Sequence, residues 1–100
     1  MFSLKNNVTG DVNVAKLVGR LDAVAARDAE ELFVEAAAAA PNIVLDMSEL
    51  EYIASAGLRL IKRLSSDVRS NGGSLNLRGV QDEVMEVFEL TGFAAVLRFE

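Results

Sequence analysis

The chain has 100 residues, of which 51% are hydrophobic, enough for one domain with one core and too few for two. It has no cysteine and no histidine, which excludes a disulfide framework, Cys/His nucleophile pairs, Ser-His-Asp triads and the usual zinc sites. A formal net charge of −5 argues against nucleic acid as a partner and favours neutral or basic ones.

No apolar run reaches the roughly 18 residues of a membrane span. Met1 to Asn6 sets no apolar segment behind a basic start, so it does not read as a signal peptide. The expectation is a cytoplasmic protein that keeps away from membranes.

Phe2 to Val8 and Val12 to Val18 read as two strands around a turn at Thr9-Gly10-Asp11, with Gly19 ending the second. From about Val24 to Ala40 the positions Ala25, Ala29, Leu32, Phe33, Ala36, Ala37 and Ala40 follow helical spacing, opposite Arg27, Asp28, Glu30, Glu31 and Glu35. Pro41 stops this helix, and the alanine run before it is its tight-packing end. Ile43 to Asp46 suits a strand buried on both faces. A polar loop from Asp46 to Ser55 then leads into a second helix, Ala56 to Ser70. Its buried face is Gly57, Leu60, Ile61, Leu64 and Val68, and Arg59, Lys62, Arg63, Asp67 and Arg69 lie outside.

Asn71-Gly72-Gly73 closes that helix, and Ser74 to Leu77 forms a fourth strand. Val80, Val84, Val87 and Phe88 mark a third helix from about Gln81 to Leu90, ended by Gly92. A short strand is expected at Val96 to Phe99. The order predicts an α/β fold: a mixed sheet, made of the N-terminal hairpin plus parallel strands, covered by about three to four helices. In such folds sites lie where strands end and helices begin, here at Gly19 to Asp22 and at Asp46 to Ser55.

Ser55 stands where the second helix starts, between the small residues Ala54, Ala56 and Gly57. A hydroxyl there suits an N-cap, and a phosphate there would meet the positive end of the helix dipole. The two roles are compatible. Asp22 can cap the first helix or face a partner. Asp46 reads as a polar strand terminus bonding the turn that follows through Met47-Ser48. The alternative, the phosphoacceptor of a receiver domain, lacks an acidic pair after the first strand and a lysine between Phe93 and Glu100. Glu49 and Glu51 flank Leu50 on a turn as solvated carboxylates, and with Asp46 their spacing is nonspecific for a metal. Arg59, one turn from Ser55, is placed to meet an acidic partner or a phosphate.

Three blocks resemble the STAS family of bacterial anti-sigma factor antagonists. Gly19-Arg20-Leu21-Asp22 is similar to that family's Gly-Glu-Leu-Asp. Ile43 to Ile61 resembles a strand followed by its Asp-Ser-Ser/Thr-Gly-Leu signature. Phe88-Glu89-Leu90-Thr91-Gly92-Phe93 is similar to its Leu-Phe-x-x-Ser/Thr-Gly-Leu ending. The resemblance covers essentially the whole chain.

It implies a non-enzymatic switch protein; from the residues, no cofactor or metal is expected, and nothing demands more than a monomer. Its partner would be an anti-sigma factor of the histidine-kinase ATPase type, which phosphorylates a serine and thereby loses its grip; a serine phosphatase resets the cycle. The matching serine is Ser55. Arg20, Asp22, Ala54, Ala56, Gly57 and Arg59 would make up the partner surface. Two departures stand out: Ala54 replaces the signature's aspartate and Ala56 its second serine or threonine. Arg20 also reverses the charge of the family's glutamate. The competing reading is a STAS scaffold that docks without phosphorylation, for example on a transporter's ATPase subunit.

Overall fold

Alternating residues fold the first part of the chain into a hairpin, in which β1 (Phe2–Thr9) pairs antiparallel with β2 (Val12–Leu21) across Gly10-Asp11. The structure is a computed structural model and describes residues 1–100. β2 does not end at Gly19. That residue takes φ +99°, and a Cβ on it would lie 2.1 Å from the Met1 carbonyl oxygen, so only glycine lets the strand pass. Beyond it the Arg20 amide donates to that same carbonyl (2.9 Å), and the strand runs on to Leu21.

Helix α1 (Ala23–Ala39) begins one residue before the expected start, because Asp22 caps it: its Oδ1 accepts from the Ala25 amide at 2.8 Å. Ala26, Ala29, Phe33 and Ala36 form its buried stripe, and Ala40 is the C-cap ahead of Pro41. Strand β3 (Asn42–Ile53) then lies parallel to β2. Here the expectation of a four-residue strand and a long polar loop is wrong. Pairing steps from Lys16–Asp46 to Val18–Glu49, and from Gly19–Leu50 to Arg20–Tyr52, so β3 carries an extra residue at each step. These two bulges bury Met47, Leu50 and Ile53 at every third position. A strand with that spacing does not alternate, so it does not look like one.

Helix α2 (Ser55–Ser70) follows after a single connecting residue, and β4 (Ser74–Arg78) pairs parallel with β3. The sheet order is therefore β1-β2-β3-β4. Helix α3 (Asp82–Leu90) and a 3-10 turn at Phe93–Ala95 close the chain. The expected last strand shrinks to an isolated bridge between Leu77 and Phe99, because the 3-10 turn leaves too little chain for a full ladder. The mixed sheet with its hairpin and parallel strands is otherwise as expected, with three α-helices.

The helices α1 and α2 share one face of the sheet. Asn13, fully buried, donates from Nδ2 to the Ala36 carbonyl of α1 (3.1 Å), and Ala15 and Leu17 lie on the same side. Ala15, Leu17, Leu45, Leu77 and Phe88 are completely inaccessible and belong to one apolar cluster. No helix is long and apolar enough to cross a membrane.

Candidate functional site

β2 and β3 end side by side, and each feeds a helix on the same side of the sheet. Leu21 pairs with Ile53, and the Ala54 amide donates to the Leu21 carbonyl (2.9 Å). Asp22 and Ser55 therefore open two helices from one hydrogen-bonded joint, and both blocks singled out in the sequence meet there.

Ala54, not Ser55, is the N-cap of α2, and no side chain bonds the helix's free amides. The capping role expected for Ser55 is thus wrong. Ser55 occupies the first helical position, and its side chain is exposed. The first turn of α2 holds no acidic residue. Unpaired amides and the positive end of the dipole remain available to an anion at this point.

Gly57 is buried, and a Cβ there would come within 2.8 Å of Leu21 Cγ and 2.9 Å of Ile53 Cγ1. The missing side chain lets α2 start directly on the strand ends. Ala56 is half-buried and Leu58 is buried. Arg59, one turn below Ser55, is exposed and bonds to no other side chain. At β2, Arg20 is exposed, with its Cζ 4.4 Å from the centroid of the Tyr52 ring.

Tyr52 went unnoticed in the sequence, hidden in a stretch read as loop. Knowing the register would have found it, since it sits opposite Arg20. Asp46 bonds Ser48 as expected, accepting from its amide (3.1 Å) and its hydroxyl (2.7 Å). It does so inside β3 rather than at its end. Burial alone would raise the pKa of Asp46, but the Ser48 bonds, aided by Lys16 and Arg78, hold it below the ordinary value. Glu49 is not on a turn either: it forms an ion pair with Lys16, whose pKa the contact raises. This polar patch lies in the middle of the strand, away from the joint.

A family model, STAS domain, matches residues 3–100. The chain belongs to the STAS domain family. Within it, a protein from Bordetella bronchiseptica named as a candidate anti-sigma factor antagonist, BtrV, is 38% identical over 73 residues, which cover 69% of this chain and 63% of that protein. The STAS chain thus spans less than two thirds of that relative's length.

Solved structures agree on the fold. An anti-sigma factor antagonist from Mycobacterium paratuberculosis superposes with a TM-score of 0.88 at 19% identity, covering 99% of this chain and 85% of that one. The antagonist SpoIIAA in its unphosphorylated form gives 0.73 at 20% identity, over 100% of this chain and 87% of that one. The Bacillus SpoIIAA in its phosphorylated form also gives 0.73, at 22% identity, over 100% and 91%.

Proposed function

We propose that this STAS domain is an anti-sigma factor antagonist. It binds an anti-sigma factor of the histidine-kinase ATPase type in the cytoplasm, as a monomer, and is released when that partner phosphorylates Ser55. A serine phosphatase restores the binding form. The observation that carries the reading is the exposed Ser55 hydroxyl on the first residue of α2, beside amides that no side chain caps. The partner surface comprises Arg20, Asp22, Ala54, Ala56 and Arg59, gathered around the joint of β2 and β3; Gly57, expected among them, is buried and seats α2 on Leu21 and Ile53 instead.

The size of the effect suits a switch. A phosphoserine carries about −1.5 to −2 charges at neutral pH. At about 7 Å from a partner carboxylate, with an effective dielectric near 20, each unit-charge pair costs about 2 kcal/mol. The helix dipole offsets about 0.3 to 1 kcal/mol of this. What remains lowers affinity by one to three orders of magnitude. The fold need not change, and both forms of SpoIIAA superpose on this chain with the same TM-score of 0.73.

A second reading draws on Ala54 at the cap position, where no carboxylate stands beside Ser55 to orient it. In that case the domain docks on its partner without modification. One experiment separates the two: incubate the protein with a histidine-kinase-type anti-sigma factor and ATP, then weigh it. A phosphate adduct absent from Ser55→Ala supports the switch. Tight binding with no mass change at any ATP concentration supports the scaffold.

A further inference from the structure

Ser55, Arg59, Lys62, Ser66 and Arg69 recur every three or four residues, so they share one edge of α2, and all five are exposed. From Ser55 to Arg69 this stripe runs about 21 Å at about 1.5 Å per residue. It is basic on a molecule whose net charge is −5. α2 holds Arg59, Lys62, Arg63 and Arg69 against the single acid Asp67.

The cations of the stripe are also unspent. Lys16, Arg63 and Arg78 elsewhere pair with carboxylates. In the stripe, Lys62 lies 5.7 Å from the Phe93 ring centroid, Arg69 donates to the Val96 carbonyl (2.9 Å), and Arg59 has no partner. None of the three meets a carboxylate. Arg69 also borders a cleft that it shares with Arg98, a further cation that meets no carboxylate. An acidic protein of this size that leaves a line of charge uncompensated on one helix offers it to something anionic.

We propose that the outer edge of α2, from Ser55 to Arg69, receives an acidic segment of the bound anti-sigma factor. This rests on the reading of the chain as an antagonist and adds the chemistry of its partner, opposite to what the net charge alone suggests. It also sharpens the switch. A phosphate on Ser55 sits at the head of the stripe, one turn from Arg59. It neutralises that guanidinium while repelling the incoming carboxylates.

The test uses Ser66→Glu, which places an acid mid-stripe while keeping every cation, and the double variant Arg59→Glu/Lys62→Glu, each checked for folding by circular dichroism. Binding of the histidine-kinase-type anti-sigma factor is measured by calorimetry at low and high salt. Ser66→Glu is expected to weaken it about three- to tenfold and the double variant more, with the loss shrinking as salt screens the charges. Equal affinity of both variants overturns the inference while leaving the antagonist reading intact. If the wild type does not bind that protein, the antagonist reading falls, and poly-L-glutamate judges the stripe alone. Amide shifts confined to Arg59, Lys62, Ser66 and Arg69, and lost in Ser66→Glu, support it; no shifts, or shifts scattered elsewhere, overturn it. A salt-sensitive dimer in sedimentation also overturns it, since the occupant is then the acidic face of α1 (Asp28, Glu31, Glu35) of a second copy.

Discussion

Arg20 stacks on Tyr52 across the β2–β3 pairing, with its guanidinium carbon 4.4 Å from the ring centroid. Both side chains are exposed, and Arg20 has no carboxylate partner, so the ring is what holds it. A cation over an aromatic face at an exposed site contributes about 0.5 to 1 kcal/mol. A double-mutant cycle with Arg20→Ala and Tyr52→Ala, followed by urea unfolding, is expected to give a coupling energy of that size. Tyr52→Phe should leave the coupling in place, because the ring and not the hydroxyl carries it. A coupling near zero would mean that the stack is incidental.

The two helix starts at the joint differ in one respect that stability measurements can read. Asp22 caps α1, whereas Ala54 offers α2 no cap. Asp22→Ala is expected to cost about 1 kcal/mol, and Ala54→Asp to add about the same. Ser55→Ala should change stability by less than about 0.5 kcal/mol, because the hydroxyl caps nothing. Urea midpoints at constant slope check all three.

Gly57→Ala sets a helix gain against a packing loss. Alanine improves helix propensity by about 1 kcal/mol. The added methyl, however, meets Leu21 and Ile53 side chains at 2.8 and 2.9 Å, within a buried contact. Overpacking of this kind costs about 1 to 3 kcal/mol. The net expectation is a loss of stability, together with a shift of the α2 start that reaches Ser55. An unchanged or raised melting temperature would show that Leu21 and Ile53 make room freely.

Asp46 gives the protein an acid-sensitive element. Its folded-state pKa is lowered: burial opposes ionisation, but the Ser48 hydroxyl and amide, with Lys16 and Arg78, outweigh it. A depressed carboxylate contributes stability above its unfolded value of about 3.9 and loses it as pH falls through the folded value. Asp46→Asn is therefore expected to be less stable than the wild type at pH 7 by about 0.2 to 0.5 kcal/mol, because solvent screens the partly exposed carboxylate and the amide oxygen still accepts from Ser48. The gap should begin to narrow as pH falls towards about 3.9 and close only beneath the lowered folded value, which a denaturation series stepped downward from pH 7 will show.

The sequence revealed much of this fold, and its failures share one cause. Helical stripes were legible because α1 and α2 bury one continuous face, and the hairpin because its turn is short. β3 was cut short after Asp46 because its two bulges replace alternation with a three-residue spacing, which no strand pattern anticipates. Gly19 looked like a terminator for a related reason: a positive φ inside a strand makes sense only once the Met1 carbonyl is seen beside it. At the joint, Ser55 and Asp22 could be named from local chemistry. Tyr52 could not, since its importance lies in its neighbour across the ladder. The line of cations on α2 was visible residue by residue, but its lack of carboxylate partners is a property of the folded surface.

A single residue, Ala54, separates the end of β3 from the start of α2, and its amide is tied to β2. There is no slack at this corner. The backbone that carries the neighbouring hydroxyl is therefore held in place at the surface. On the switch proposed above, a phosphate added there would stand in the path of the partner, and the message would be delivered by obstruction at a fixed address rather than by a change of shape.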